Sequence, residues 1–386
     1  MSYNANGINI SDKFYNFNSL ISNTNNAVTT NFKILNKDIS NNYVGIGTNS
    51  NIPVSQLYTF NYYIGTTNIG DLFELNLPFF YGIINTDYKM FPGNGGLLIQ
   101  ILKTTSLSFT HNLDCSFCVV GGGGGGGYNS NSNAGGGGGA GELITGSING
   151  YTANSKLTIT IGEGGNSYTN GSQTYITYYP PSTIPPAISA FGGGYGGHGK
   201  GHGASVTGSS SGGAGAYSDD NFYPGSVTSR TISNLSIFQS MISYGNSGAK
   251  GNDQENDSGA GGGGGGAGAV ATFPGNENPG IGGAGMTIKY GSKSFDLAGG
   301  GGGGGRENGF GPNPQGVGGD GGLGGGGAGG GNYVSSTSKP PNNGDGLPGA
   351  VNTGGGGGGA QNNTGIGGKG GSGTVIFYIL PSGVRI

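Results

Sequence analysis

The sequence predicts a mostly β protein in which strands adjoin a packed sandwich of polyglycine II rods, joined by Asn- and Pro-rich loops. Almost no α-helix is expected, except near residues 18–39. Three observations predict this fold. Of the 95 glycines among 386 residues, 86 lie after residue 120, and six uninterrupted runs of four to seven glycines recur there. Apolar segments bound this part at both ends, at 113–120 and 374–380. Alanine interrupts the runs more often than serine or charge does, as in GGGGGAGE.

Residues 1–55 form the first of three predicted regions, an arm for attachment or oligomerisation. A heptad pattern with two seam positions can be followed through it: Asn18, Asn25, Phe32 and Ile39 on one, and Ile21, Val28 and Leu35 on the other. That spacing is typical of a coiled coil. Because Asn and Thr are poor helix formers, an extended or β-rich arm is the alternative. The segment NNYVGIGT at 41–48 resembles a motif of trimeric phage tail-fibre shafts, which implies fibre attachment and raises a homotrimer as a hypothesis.

The second predicted region, residues 56–112, reads as β-strands. LFELNL at 72–77 alternates apolar and polar residues, and GLLIQIL and SLSF follow at 96–102 and 106–109. Alternation with a period of two is the pattern of half-buried strands. The next strand, LDCSFCVV, opens the third region at residue 113.

The third predicted region, residues 113–386, poses the choice between a flexible linker and an ordered fold. Fixing 86 glycines costs on the order of 100 kcal/mol of backbone entropy, and no side-chain burial offsets it. Polyglycine can nevertheless form threefold helices that rise ~3.1 Å per residue and lack internal hydrogen bonds. Without Cβ atoms, such rods can approach and bond to one another. The glycines expected in rods include Gly121, Gly124, Gly137, Gly263, Gly302 and Gly356.

The order of motifs across this region carries a family resemblance. VVGGGGGGG, AGGGGGAGE, LTITIGEGG, FDLAGGGGGGG and GGSGTVIFYI follow one another between residues 113 and 380. This succession resembles the glycine-rich domain of phage tail-fibre adhesins and related giant-virus proteins. The resemblance implies a sandwich of polyglycine II helices whose distal loops contact a host receptor. The long insert at 205–257 departs from the family pattern.

Composition excludes several classes of partner. The net charge is −3, and no basic stripe or repeated Arg-Gly-Gly unit is present, so nucleic-acid binding is not expected. No apolar run approaches the ~20 residues that span a bilayer, so no membrane insertion is expected. The polar start MSYNANGINISDK lacks the apolar core of a signal peptide, which predicts synthesis in a host cytoplasm.

No residue pattern predicts catalysis, a metal or a cofactor. Glycine-dense sequence produces G-x-G-x-x-G by default, and no glycine-lysine pair continues with Ser or Thr as a phosphate-binding loop requires. Cys115 and Cys118 lack the second ligand pair of a zinc site, and as residues three apart on a strand they are predicted to be core cysteines. His198 and His202 lie among glycines that disfavour a helix, so they are predicted to be loop residues. GGDGGLGG at 318–325 resembles half of a calcium-binding nonapeptide but has no tandem copy.

The predicted function is a non-enzymatic structural and adhesive component of a virion surface. Its N-terminal region would bind virion fibre or capsid proteins, and its loops a host surface glycan or protein. Loops rich in Tyr, Asn, Ser and Gly make adaptable contacts. The candidate contact residues are Tyr128, Tyr195, His198, His202, Arg306, Phe310 and Tyr333. A purely structural coat protein is one alternative. An ice-binding polyglycine bundle is another alternative. It would require regular Gly-x-x repeats and a flat face of small residues, and this sequence has neither.

Overall fold

The structure is a computed structural model of the full chain, and part of the chain is described. Side chains are described for residues 87–91, 96–109, 112–128, 133–153, 155–179, 187–199, 201–216, 225, 232, 237–251, 259–273, 278–305, 316–331, 344–361 and 365–379. Backbone alone is described for strand residues 32–38, 43–48, 58–59, 63–64, 67–68, 78–80, 92–93 and 227–228.

The described residues form β-strands and extended segments, and they contain no α-helix. The strands, in chain order, are β1 (Phe32–Asp38), β2 (Tyr43–Thr48), β3 (Tyr58–Thr59), β4 (Tyr63–Ile64), β5 (Thr67–Asn68), β6 (Pro78–Phe80), β7 (Tyr88–Gly93), β8 (Gly96–Ile101), β9 (Thr105–Phe109), β10 (Leu113–Val120), β11 (Leu143–Tyr151), β12 (Lys156–Thr160), β13 (Thr174–Tyr179), β14 (Ala187–Ala190), β15 (Val206–Thr207), β16 (Val227–Thr228), β17 (Phe238–Tyr244), β18 (Met286–Tyr290), β19 (Lys293–Leu297) and β20 (Thr374–Ile379). The predicted fold class is confirmed.

Contacts divide the chain into two units. One comprises Met1–Phe80, Leu107–Leu113 and Thr152–Asn154, and the other Tyr81–Ser106, Asp114–Tyr151 and Ser155–Ile386. The division into regions 1–55, 56–112 and 113–386 stays a prediction.

The smaller unit contains short antiparallel pairings. β2 pairs with both β1 and β3, β4 pairs with β5, and β6 pairs with β9. Because β1 is a strand, the coiled-coil interpretation is wrong for residues 32–38, and the β-rich alternative holds there. Residues 18–31 and 39 of the heptad pattern lie outside the described residues.

A six-stranded sheet in the order β17-β11-β10-β20-β8-β7 contributes many of the buried apolar residues of the larger unit. β20 is buried at every position, as its continuous run TVIFYI predicts for a strand covered on both faces. Phe117 and Phe238 meet edge to face, with ring centroids 6.0 Å apart. Cys115 and Cys118 are buried free thiols on β10, in agreement with the prediction that they are core cysteines. Burial raises the pKa of both thiols.

The glycine runs of the larger unit are ordered rods that bond to one another through the backbone. The 121–127 rod donates to three neighbouring segments in turn, at 134–142, 169–173 and 365–373. Gly121, Gly124 and Gly127 all donate to the first of these, so the partner recurs at every third residue. That period is the signature of a threefold polyglycine helix.

The carbonyls of the 121–127 rod accept from three further segments, at 161–168, 191–199 and 354–361. Six neighbours therefore surround it, and the rods at 134–142, 298–305 and 354–361 are enclosed in the same way. Five of the six glycines predicted to lie in rods, all but Gly263, lie in these four segments. Gly263 lies in the 261–266 run, whose Gly261 and Gly264 donate to Gly304 and Gly301. Gly124, for example, donates to Gly139 and Gly302 donates to Gly327, each at 2.9 Å.

Glu142 is a buried carboxylate at the junction between a rod and β11. It is 0 % exposed. Its Oε2 accepts the Phe191 N–H at 2.8 Å, and its Oε1 accepts the Ser243 hydroxyl. Since a buried polar group requires such partners, the Glu142 side chain ties the 191–199 rod to the sheet.

Candidate functional site

The strands fix one end of the rods, and the opposite end forms what we call the outer edge. β10 continues directly into the 121–127 rod, which reaches the outer edge at Tyr128. The 191–199 rod runs parallel to it, because Gly193, Gly196 and Gly199 donate to Gly122, Gly125 and Tyr128 in succession. Tyr128 and Gly199 therefore lie together at the outer edge.

Six connections between rods have both of their described flanks at the outer edge. They are the connections at 129–132, 252–258, 274–277, 306–315, 332–343 and 362–364. Backbone bonds place these flanks: Gly304 donates to Gly135, Ala360 to Gly127, Gly305 to Gly330, Gln361 to Gly344, Gly261 to Gly304 and Gly280 to Gly261. Of the candidate contact residues, Tyr128 lies at this edge, and the segment that carries Tyr195 and His198 ends there.

An aromatic cluster of Tyr128, Tyr168, Tyr195 and His198 occupies part of the outer edge. Tyr128 stacks on His198, with centroids 5.2 Å apart and ring planes at 24°. Tyr168 meets Tyr128 edge to face at 5.3 Å and His198 at 5.0 Å. The Tyr168 and Tyr195 centroids are 4.4 Å apart. Each ring therefore contacts at least one other ring of the cluster.

Tyr168 enters the cluster through a tight turn. The Thr169 N–H donates to the Asn166 carbonyl at 2.9 Å, which closes a four-residue turn. Tyr168 is its third residue and has a φ of 59°, whereas Ser167 does not have positive φ. This is the pattern of a type II turn, in which the third position favours glycine. The Tyr168 N–H also donates to the Gly126 carbonyl at 2.9 Å, which fixes the turn against the 121–127 rod.

Tyr195 and His198 reach the cluster from one rod because they are three residues apart. On a threefold helix, positions i and i+3 point the same way. The Tyr195 N–H donates to Asn170 Oδ1 at 3.0 Å, and the Gly199 N–H donates to the Tyr128 carbonyl at 3.3 Å. These two hydrogen bonds hold the segment that carries both rings.

The chemistry of the cluster is aromatic. Partial burial, together with a hydrogen bond to Tyr195, raises the pKa of Tyr168 to about 12, so its phenol is protonated at physiological pH. Among the residues that the structure describes, no three His, Cys, Asp or Glu side chains converge as a metal site would require.

The structure brings together three of the seven predicted contact residues, Tyr128, Tyr195 and His198. His202 is exposed in the segment that follows. Arg306, Phe310 and Tyr333 lie outside the described residues. Sequence reasoning missed Tyr168, although an aromatic residue within the turn sequence NSYTNG between two glycine stretches was a usable signal.

A separate groove of about 430 Å³ lies beside the strands of the larger unit. The residues that line it include Lys89, Gln100, Asp296, Val351 and Thr353. None of the predicted contact residues lines this groove. Across the described part of the chain, no helix has the length and apolar character needed to cross a membrane.

Comparison with known proteins identifies the family. Neither the comparison with curated proteins nor that with solved structures gave a match. The family model described as a glycine-rich domain matches residues 103–380, which include the rods, the turn of Tyr168 and strand β20. The chain therefore belongs to the glycine-rich domain family.

Proposed function

We propose that this protein is a non-enzymatic component of a virion surface that attaches to a host cell through the outer edge of its glycine-rich unit. One observation carries the proposal: six connections open at a single edge, beside a cluster of aromatic side chains. The protein would be made in the host cytoplasm and carried on the virion.

The rods explain why recognition would be confined to the edge. In a rod enclosed by six neighbours, the backbone N–H and C=O groups are hydrogen-bonded to those neighbours, and the glycines carry no side chains. Its interior therefore has nothing to offer a ligand. Side chains able to make contacts are concentrated where the rods end, and loops on a rigid scaffold are a common place for binding residues.

The N-terminal region would supply the link to the virion. NNYVGIGT resembles a tail-fibre shaft motif, and its residues Tyr43–Thr48 form strand β2. We therefore expect this region to bind fibre or capsid proteins, with a homotrimer as the assembly to test.

A purely structural coat function is the second candidate. The dense backbone bonding of the rods favours it, because a chain bound on all sides resists local opening and proteolysis. In this case the outer edge would only connect the rods.

Cell binding separates the two candidates. The fluorescently labelled full chain would be incubated with bacterial and unicellular eukaryotic cells and measured by flow cytometry. Alanine at Tyr195, His198, Arg306, Phe310 and Tyr333 together should abolish binding and leave the melting temperature nearly unchanged. A matched variant with alanine at the exposed strand residues Tyr175 and Tyr179 should bind normally. Attachment that survives the five-fold change would favour the coat function.

A further inference from the structure

We infer that Tyr128, Tyr168, Tyr195 and His198 form a binding site for a neutral pyranose sugar, which stacks on the Tyr128 ring. The inference rests on the proposed function and names the chemistry of its ligand. Four features of the cluster lead to it: a supported and exposed ring, a fixed backbone, a tyrosine in a glycine position and a neutral polar rim.

Tyr128 presents a supported ring surface to solvent. It is 39 % exposed although His198 stacks on it and Tyr168 contacts it edge to face. The face of an aromatic ring carries partial negative charge, which attracts the polarised C–H groups on one side of a pyranose. A ring held by two neighbours needs no rearrangement to accept such a sugar.

The backbone beneath the cluster is already fixed. Tyr168 donates to Gly126, and Tyr128 accepts from Gly199, so both residues are bound to rods within the glycine-rich unit. Ordering side chains and loops is a major cost of binding, and preorganisation lowers that cost. A small ligand makes few contacts, so its affinity depends more on this lower ordering cost than the affinity of a large ligand does.

The conformation of Tyr168 indicates selection for its ring. Its φ of 59° lies in the left-handed region, at a turn position that favours glycine. The chain uses glycine at 95 positions, yet a bulky residue stands here. Strained backbone of this kind concentrates at ligand sites, where the surrounding structure enforces it. The ring that this strain places contacts all three other members of the cluster.

The rim of the cluster favours a neutral sugar. Asn166, Thr169 and Asn170 are exposed beside it and carry amide and hydroxyl groups suited to sugar hydroxyls. The cluster and this rim contain no carboxylate, lysine or arginine. An acidic sugar would find neither a lysine nor an arginine among these seven residues.

The described cluster is also small for a protein partner. A stable protein interface takes about 800 Å² from each side. Even a fully exposed aromatic side chain contributes only about 150–250 Å², and these four are largely covered by one another. The cluster matches one or two sugar rings in size.

Saturation-transfer NMR on the full chain tests the inference directly. The probes are the methyl glycosides of glucose, galactose, mannose and N-acetylglucosamine, each at millimolar concentration. We expect transfer to the ring protons of at least one of them. Tyr128→Ala should weaken that binding at least tenfold. Tyr175→Ala removes a tyrosine of equal exposure, 39 %, from β13 and should leave binding unchanged. No transfer from the wild-type chain, or equal loss in both variants, would overturn the inference.

Tyr168→Gly separates placement of the ring from folding. Glycine suits the positive φ, so the melting temperature should stay the same or rise while sugar binding falls at least tenfold. Wild-type binding by this variant would show that the strained tyrosine does not serve the site.

Treated cells separate the sugar inference from the proposed function. If the ligand is a glycan, periodate oxidation of the cell surface should abolish attachment, and protease treatment should leave it intact. The reverse pattern would refute the sugar site and leave the attachment function standing with a protein receptor. Absence of attachment to untreated cells, with sugar binding retained in solution, would count against the attachment function alone.

Discussion

Replacing Gly302 by valine tests whether the rods hold the glycine-rich unit together. A Cβ at Gly302 would lie 2.1 Å from the Gly319 carbonyl oxygen and 2.6 Å from its carbon. Ordinary contacts of a Cβ begin near 3.4 Å, so the neighbouring backbone would have to move by roughly 1 Å. No side chain at this point can rotate away, because both contacts are with backbone atoms.

The energy of that displacement follows from the bonds it stretches. Gly302 donates to Gly327 at 2.9 Å, Gly359 donates to Gly302 at 2.8 Å, and Gly319 donates to Gly303 at 2.8 Å. A shift of about 1 Å takes such bonds beyond hydrogen-bonding distance. Each buried group left without a partner costs ~1–3 kcal/mol, so the variant should lose at least ~3–5 kcal/mol. In a unit of this size, that loss lowers the melting temperature by roughly 5–10 °C.

Calorimetry of the full chain measures the effect, and two variants calibrate it. A Cβ at Gly150 would meet no atom within 4 Å, although φ is +76°, so Gly150→Ala should cost only ~1–2 kcal/mol for its backbone conformation. One glycine inserted between Gly302 and Gly303 should also cost little. After the insertion, each glycine that follows can occupy the position of the next one, because all of them are identical. The extra residue then lengthens the connection at 306–315, which costs only a few tenths of a kcal/mol.

For packed rods, we expect the inserted glycine to cost less stability than the substitution Gly302→Val at the same place. A flexible linker would tolerate both changes. A side-chain-packed core would suffer from the insertion as well. A melting temperature for Gly302→Val equal to that of Gly150→Ala would refute the packed-rod reasoning.

Three further predictions concern single side chains. Cys115 and Cys118 should resist alkylation and form no disulfide until urea is added, as mass spectrometry can show, because burial raises the pKa of both thiols and excludes reagent. Glu142→Ala should destabilise by about 3 kcal/mol in urea unfolding, because two partly buried donors lose their buried acceptor. Glu163→Ala, at an ion-paired side chain 74 % exposed, should change stability by less than ~0.5 kcal/mol. The folded-state pKa of Tyr168, about 12, exceeds its ordinary value of 10.0. Its contribution to the free energy of unfolding is therefore complete below pH 10 and is lost as the pH rises towards 12. In Tyr168→Phe, denaturant titrations should show a smaller decline of the free energy of unfolding over this pH range.

The rods could be predicted from sequence, but their neighbours could not. Run length, flanking strands and the preference for alanine interruptions predict packed polyglycine. Yet each glycine offers the same N–H and C=O groups, so nothing in the 121–127 run distinguishes its six neighbours. The shared outer edge was equally hidden, because it depends on which rods run parallel.

The aromatic cluster illustrates the same limit. Tyr128, Tyr195 and His198 could be selected by residue type and loop composition. Tyr168 was missed because its role depends on a left-handed turn and on the adjacent 121–127 rod. Neither property is visible in the local pattern.

Strands supply the register that glycines lack. In the β10–β20 pair, Val120 lies opposite Thr374, and the rods beyond continue this register: Gly123 donates to Gly371, and Gly126 donates to Gly368. Each step of three residues along one rod matches a step of three back along the other. The same continuity joins β18–β19 to its rods, since Met286 opposes Leu297 and Gly300 then donates to Gly283. Side chains of the sheet therefore align backbones that carry none.

The register set by the strands also extends to the aromatic cluster. Thr160 opposes Tyr175 in the β12–β13 pair, the Ser172 N–H then donates to Glu163, and the Thr169 N–H donates to Asn166 at the turn. The pairing register of β12 and β13 thus continues without a break to Tyr168, which lies eight residues and roughly 25 Å beyond the end of β12. A slip of one residue in the strands would bring a different residue to the third position of the turn. The apolar alternation of β12 and β13 opposes such a slip, because it would turn their buried faces to solvent. The strand core therefore determines which side chain the outer edge presents.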